Sequence, residues 1–303
     1  MGRTKLLGAS TLLKRVSQLA YLGSHPISHH RCASAIRRSR LASDPLIPMK
    51  YLGDHLALSL RTWQRRLALM GHYHRLPALL PPDGDADPRT GISIWQKDGQ
   101  GDYPPLSIVL ETSRLAPMEG ELQLRFSFRS DLYVLTFLLS PGDIFDMDCP
   151  TVLFIGGIQG RIGSREEMRE ASKLNGEISP AAMLILAAQA IAKVMRIDKL
   201  IAIGEDDHIS MGYSRWKIKL DYGQFWIDAG GVRRGRHYVL PLETPQRPLS
   251  EISLSHRSRT RRKREAKQLV RQAIEARLQQ LIRAEHAKPR VATASAPWEP
   301  AFT

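Results

Sequence analysis

Cysteine is nearly absent from this chain: Cys32 and Cys149 are the two in 303 residues. They stand too far apart for metal-ligand or redox spacing, so no metal site and no disulfide framework is expected, and a reducing compartment fits. Long apolar runs are missing as well. The longest, AAMLILAAQAIA over 181–192, is closed by Lys193; it is too short to cross a bilayer and reads as a buried helix, not a transmembrane one. The nucleotide fingerprints G-x-x-x-x-G-K-[ST] and G-x-G-x-x-G do not occur, and neither does a G-x-S-x-G elbow. Acid is missing from the first 43 residues, Asp44 being the first carboxylate.

What is present is base, at the two ends. Net charge is +14. Residues 1–66 hold 12 Lys/Arg against Asp44 and Asp54, a net +10, and residues 251–290 hold 12 against four glutamates, a net +8. The rest therefore sums to −4, so basicity describes the ends and says little about the central fold. Residues 1–47 read as a basic, disordered extension. Lys14-Arg15 interrupts the apolar centre a secretory signal needs, so no signal peptide is expected; the Ser, Arg and Leu content leaves an organellar transit peptide as the other reading. At 251–288, Val270, Ile274, Leu278 and Leu281 recur at spacings of four, four and three, the stripe of an amphipathic helix. Arg259, Arg261, Arg262, Lys263 and Arg264 precede it. They make either a solvated helix docked by its stripe or a patch for nucleic acid or an anionic membrane surface. No aromatic interleaves these arginines, which argues against base stacking. Residues 289–303 read as a flexible tail.

Between the ends, 48–250 reads as a single α+β domain. Leu56, Leu60, Trp63, Leu67 and Met70 predict a helix over 50–76. His72 and His74, two apart on it, point to different sides and make no metal pair. GISIWQ, PLSIVLE, GELQLRFSF, DLYVLTFLLS and TVLFI follow as strands, then helix, the strand KLIAIGE, and strands around SRWKIKLD and RHYVLP. A meander followed by a βαβ-like crossover predicts a mixed, largely antiparallel sheet with flanking helices.

FIGGIQGRIG (154–163) has the strand, glycine, helix layout of a phosphate loop without its spacing. Ser164 and Glu167 suggest a capping box, and Glu166 and Glu167 would repel an anion from that helix end. The glycines are expected to relieve sterics at a strand end or bulge. A better anion seat is the turn at Gly176, with Ser179 as N-cap, Pro180 as first helical residue and no acid in the first turn after it; the alternative is an ordinary capped core helix. In GEDDHIS (204–210), His208 is a candidate general base oriented by Asp206 or Asp207, the alternative being a solvated acidic turn. LDYGQFWIDAGG (220–231) reads as a lid, a pocket wall or core packing.

These pieces together resemble the bacterial VirK/YbjX family over about residues 48–285. The likeness rests on YLGDHLALSLRTWQRRLALMGHYHRL with its His72-Tyr73 pair, EGELQLRF, LYVLTF, the Ile155-Gly156-x-x-Gln159-Gly160 signature, Pro180, YGQFW and YVLP. Gly223 departs from it, standing where the family has an acid. The resemblance implies a cytoplasmic bacterial protein linked to virulence, stress or antimicrobial-peptide resistance, with peripheral attachment to the inner membrane left as an option by the basic ends. It also makes residues 1–44 an extension outside the shared domain. More distantly, the element order resembles the GNAT acyltransferase fold, where acyl-CoA sits at the parting of a central strand from its neighbour and a helix N-terminus meets the pyrophosphate. That likeness implies acyl-CoA as a cofactor and puts Gln159 and Gly160 among its candidate ligands, although Gln159 to Gly163 does not carry the full Gln/Arg-x-x-Gly-x-Gly/Ala pyrophosphate signature. The alternative function is a non-enzymatic basic factor on an anionic membrane surface or nucleic acid.

Overall fold

In a computed structural model, the chain is described over residues 15–42, 44–80, 87–99, 101–214 and 220–286. One eight-stranded sheet organises it, in the order β1-β2-β3-β4-β5-β6-β8-β7. The strands are β1 (Ile92–Lys97), β2 (Leu106–Thr112), β3 (Leu122–Phe128), β4 (Ser130–Ser140), β5 (Val152–Gly160), β6 (Lys199–Ala202), β7 (Val232–Arg234) and β8 (His237–Leu240). All neighbours run antiparallel except β5 and β6. The α+β class with a mostly antiparallel sheet is thus the one read from the alternation of LQLRFSF and its neighbours. Leu122, Leu124, Phe126 and Phe128 all lie buried, as residues sharing one face of a half-covered strand should. β4 and β5 are buried at nearly every successive residue, which requires cover on both faces.

That cover is helical. α1 (Pro26–Ser39) packs on α2 (Thr62–Leu79), and α2 packs on β4. α3 (Arg165–Leu174) and α4 (Pro180–Val194) form the crossover from β5 to β6. α4 is apolar nearly all round and buried along its length, the form expected of a helix enclosed by sheet and partner helix. α5 (Tyr222–Asp228) follows β6, and α6 (Leu254–His286) lies against α4 and β1 with Val270, Ile274 and Leu278 buried.

Three expectations change. Residues 26–39, expected to belong to a disordered extension, form α1, which starts at Pro26 and buries Cys32, Ala33 and Ile36. Its i, i+1, i+4 stripe is short and lies inside a run of Arg and Ser that conceals it. The helix expected over 50–76 begins at Thr62. Residues ahead of it are held by distant partners: Leu56 N–H donates to Met118 O at 2.8 Å and Leu58 N–H to Asp207 O at 2.9 Å, which outweigh local helix preference. Ser164 does not cap α3; its hydroxyl donates to Arg161 O at 2.7 Å, and Glu167 instead meets Arg161 and Ser130. The strand expected around SRWKIKLD falls largely on 215–219, outside the described residues.

Candidate functional site

The glycines of FIGGIQG lie within a strand. Thr136 pairs with Gly157 and Phe137 with Ile155, so Gly156 is the extra residue of a β-bulge. A Cβ on Gly156 would lie 1.7 Å from Glu119 O, and one on Gly157 2.1 Å from Glu119 Oε2. The two glycines let the turn carrying Glu119 lie directly across β5, which is the bulge role expected of them.

At the same level the sheet divides. β5 and β6 pair over Val152–Ile155 and Lys199–Ala202, and Ile203 N–H donates the last bond to Ile155 O at 2.9 Å. β5 then continues to Gly160 paired with β4. α5 bridges the two parted strands. Tyr222 Oη donates to Ile158 O at 3.1 Å and accepts from Ile158 N–H at 3.2 Å, while Trp226 Nε1 donates to Ile203 O at 2.8 Å. Asp221 caps this short helix by accepting from Gln224 N–H.

Glu119, His208, Tyr222 and Thr136 meet at this division. Ser210 N–H donates to His208 Nδ1 at 3.2 Å, so the proton of the neutral ring sits on Nε2. Nε2 lies 3.4 Å from Tyr222 Oη and 3.6 Å from Glu119 Oε1. Thr136 Oγ1 donates to Glu119 Oε2 at 3.2 Å. Burial pushes the Glu119 carboxyl up to about 7 against the opposing Thr136 hydrogen bond. Burial also brings His208 down to about 4. Tyr222 is raised, by burial first and the neighbouring Glu119 second. At neutral pH this is an uncharged histidine beside a carboxyl poised to gain or lose a proton.

A second polar cluster lies one residue beyond Gly120. Glu121 accepts from Lys50 Nζ at 2.9 Å, His55 Nε2 at 3.1 Å and Tyr73 Oη at 2.7 Å. Burial works against its ionisation, but the His55 hydrogen bond and the Lys50 charge hold it well below the ordinary carboxylate range. His72, brought to about 4 by burial, accepts from Leu139 N–H through Nδ1. Its Nε2 and His55 Nδ1 are buried without a hydrogen-bond partner. The His72-Tyr73 pair therefore belongs to a sealed cluster that ties α2 to the start of β3.

The residues singled out from the sequence separate. Of the acidic turn, His208 reaches the division of the sheet. Asp207 does not orient it: its carboxylate accepts from Ser59 N–H at 2.7 Å and Ser59 Oγ at 2.6 Å, and His237 Nε2 lies 3.5 Å away. Asp206 is exposed and faces Arg233 at 3.6 Å. The 3₁₀ turn spans Glu205–Asp207, and His208 follows it in extended backbone, so the chain changes direction between the two aspartates and His208. Gln159 and Gly160 end β5, opposite Val134 and Tyr133. Gly176, at φ +64°, lies under Ala266 of α6, and Ser179 caps Ala182 N–H at the start of α4, with Pro180 buried behind it. Glu177, in the same turn, pairs with Arg259 at 2.9 Å. The candidate pyrophosphate seat is thus a capped helix start engaged by α6. Of the basic run, Arg259, Lys263 and Arg264 line a cavity of about 1090 Å³ between α4, α6 and the segment after β8, whereas Arg261 and Arg262 are exposed elsewhere on α6.

Sequence reasoning missed Glu119, Glu121 and Thr136. A signal existed in EGELQLRF, where two acids one residue apart open a strongly apolar strand. Among the described residues no cluster of three or more His, Cys, Asp or Glu is placed to hold a metal, and no helix is long and apolar enough to cross a membrane.

Comparison with known proteins gives a family without an activity. The family described as a protein of unknown function, DUF535, matches residues 25–276. The uncharacterized protein YbjX of Escherichia coli strain K12 is 27% identical over 242 residues, covering 74% of this chain and 70% of that protein; its name is the one carried by the family the motifs resemble. No solved structure matches.

Proposed function

Since the chain belongs to the DUF535 family, whose function is unknown, we propose a function from its geometry: a GNAT-like acyl-CoA binder that transfers the acyl group to an amine where β5 and β6 part. The observation that carries this reading is a buried carboxyl with a near-neutral pKa at the parting of the central parallel pair. The distant fold likeness puts a thioester at such a parting. Fold alone does not make an activity, so the chemistry of the residues present has to supply the rest.

In this reading Glu119 takes the proton of the incoming amine. The amine nitrogen then bonds to the thioester carbonyl carbon, the C–S bond breaks with its electrons on sulfur, the Tyr222 hydroxyl gives its proton to the thiolate, and the proton taken by Glu119 passes back to the Tyr222 oxygen, so both groups end as they began. Ile158 N–H, which serves Tyr222 Oη in this structure, is the donor the polarised carbonyl would use. His208 Nε2, near both Glu119 and Tyr222, positions the pair. The ligand enters by displacing the Tyr222 hydroxyl from Ile158.

Calorimetric titration of acetyl-CoA and a longer acyl-CoA into the full chain, at moderate salt, tests this. Saturable, salt-tolerant binding is expected, and Tyr222→Phe should tighten it by freeing Ile158. Glu119→Gln should bind equally well, yet lose the rise through pH 7 in amine-dependent release of free thiol. Absence of binding in both the wild type and Tyr222→Phe overturns the reading. A basic, non-enzymatic role at an anionic partner is the second reading, favoured by the cavity beside α6.

A further inference from the structure

We propose that the cavity between α4, α6 and the segment after β8 is a binding site for a ligand carrying two or more phosphate groups, with Lys263 and Lys267 as its central contacts. The inference is independent of acyl transfer at the division of the sheet.

Arg259, Lys263, Lys267 and Arg271 recur every fourth residue along α6, so they form one row along the cavity wall. Arg264 lines the same wall, and Arg247 reaches it from the facing segment, where Arg264 also donates to the Arg247 carbonyl. Like charges four apart on a helix repel, so a row of this kind needs anions to sit comfortably.

The carboxylates present serve the ends of the row and leave its middle. Glu243 is held by Arg271 at 3.2 Å and Lys193 at 3.8 Å, and Glu275 by Lys193 at 3.1 Å. At the other end Arg259 is paired with Glu177. No carboxylate pairs with Lys263, Lys267 or Arg247 among the described residues. Lys267 is half-buried as well, and its pKa is lowered, by burial first and then by Lys263 and Arg271. A partly desolvated ammonium between two other cations is unfavourable in the unliganded protein and favourable once an anion arrives.

Size and spacing define the ligand class. A cavity of about 1090 Å³ exceeds the need of a single inorganic anion and matches a phosphorylated small molecule or a lipid headgroup. Residues four apart rise about 6 Å along a helix, a separation that lets Lys263 and Lys267 address successive phosphates. Flexible ammonium groups suit phosphate as point charges. No Phe, Tyr or Trp lines the cavity, and His256 is the ring its lining holds, which argues against a stacking platform as the main recognition mode.

The test uses the full chain and two double variants of equal charge change: Lys263→Ala with Lys267→Ala inside the cavity, and Arg261→Ala with Arg262→Ala outside it. Linear inorganic triphosphate is titrated by calorimetry, and vesicles containing phosphatidic acid are tested by co-sedimentation. The cavity variant should weaken triphosphate at least about tenfold, the size of effect lost with a charge-assisted contact, while the outer variant changes it less than about twofold. Vesicle binding lost in the cavity variant alone, with triphosphate inert, assigns the site to a lipid phosphate. Equal weakening in both variants means diffuse attraction to a basic helix and overturns the site, as does failure of both probes to bind the wild type. The cavity variant should melt no lower than the wild type, since it relieves repulsion; a clearly lower midpoint would also overturn the assignment by making the row structural. Glu119→Gln should leave triphosphate binding unchanged, which keeps this site apart from the acyl-transfer reading.

Discussion

Glu119 and Glu121 are separated by one glycine and both are buried, yet their carboxyls end on opposite sides of the ordinary range. Glu121 is sealed among Lys50, His55 and Tyr73 and stays ionised. Glu119 has one hydroxyl donor, Thr136, beside a neutral histidine, and its carboxyl rises to about 7. Depth therefore does not distinguish a structural carboxylate from a chemically poised one; the supply of donors does. Gly120 makes the contrast possible, since a Cβ there would lie 2.7 Å from Phe137 O. The main chain can press against β4 at that point and send the two acids to different neighbours.

The largest effect should come from breaking the ionised side. Glu121→Ala leaves the Lys50 ammonium without its anion and His55 and Tyr73 without their acceptor, and should cost about 3–5 kcal/mol of unfolding free energy, the range for removing one partner of a buried pair. Urea denaturation at pH 7 measures it, and a loss equal to that of Glu119→Ala would erase the contrast.

Glu119→Gln should act in the opposite sense. The folded protein raises this carboxyl from 4.5 to about 7, so folding favours its protonated form. The resulting stability is complete below about pH 4.5 and is lost as pH rises to 7. Gln should accordingly exceed the wild type by about 3 kcal/mol at pH 8, the gain vanishing by pH 4.5. His208 runs the other way, losing stability as pH falls from 6.5 to about 4, but it is common to both proteins and drops out of the difference. A gap that ignores pH would mean that Glu119 is ionised throughout.

Two smaller changes sharpen the contrast. Gly157→Ala places a methyl 2.1 Å from Glu119 Oε2, so the carboxyl must swing away at about 1–3 kcal/mol; carboxyl NMR titration should then show Glu119 back toward 4.5, with Glu121 unmoved. Tyr222→Phe removes two bonds to Ile158 and should cost about 1–2 kcal/mol. Its sharper readout is faster hydrogen exchange of the Ile158 amide, with the Ile203 amide on the β6 side unaffected.

Much of the fold was legible because its signals are local. The four apolar residues of LQLRFSF share a face whatever the neighbouring strand is, and Ser179-Pro180 begins a helix by its own capping chemistry. The site was legible in part. His208 could be found from its place after a central strand, but its carboxyl neighbour stands 89 positions earlier, and the nearer aspartates offered a misleading local answer. The bulge at Gly156 was expected as a steric device; what it accommodates, the chain at Glu119, is a tertiary fact. The late start of α2 has the same origin, because residues 55–59 are fixed by Met118 and Asp207 and not by their own preferences.

The Asp207–Ser59 contact described above also sets a timetable. Ser59 gives both its amide and its hydroxyl to a carboxylate 148 residues downstream. During synthesis at about 5–20 residues per second, the segment ahead of α2 leaves the ribosome roughly 7–30 s before its anchor does. Until then the stretch around Leu56 can be held by the turn that precedes β3, which emerges earlier, but lacks the acidic turn after β6, so the amino-terminal layer completes its contacts late although it is made first.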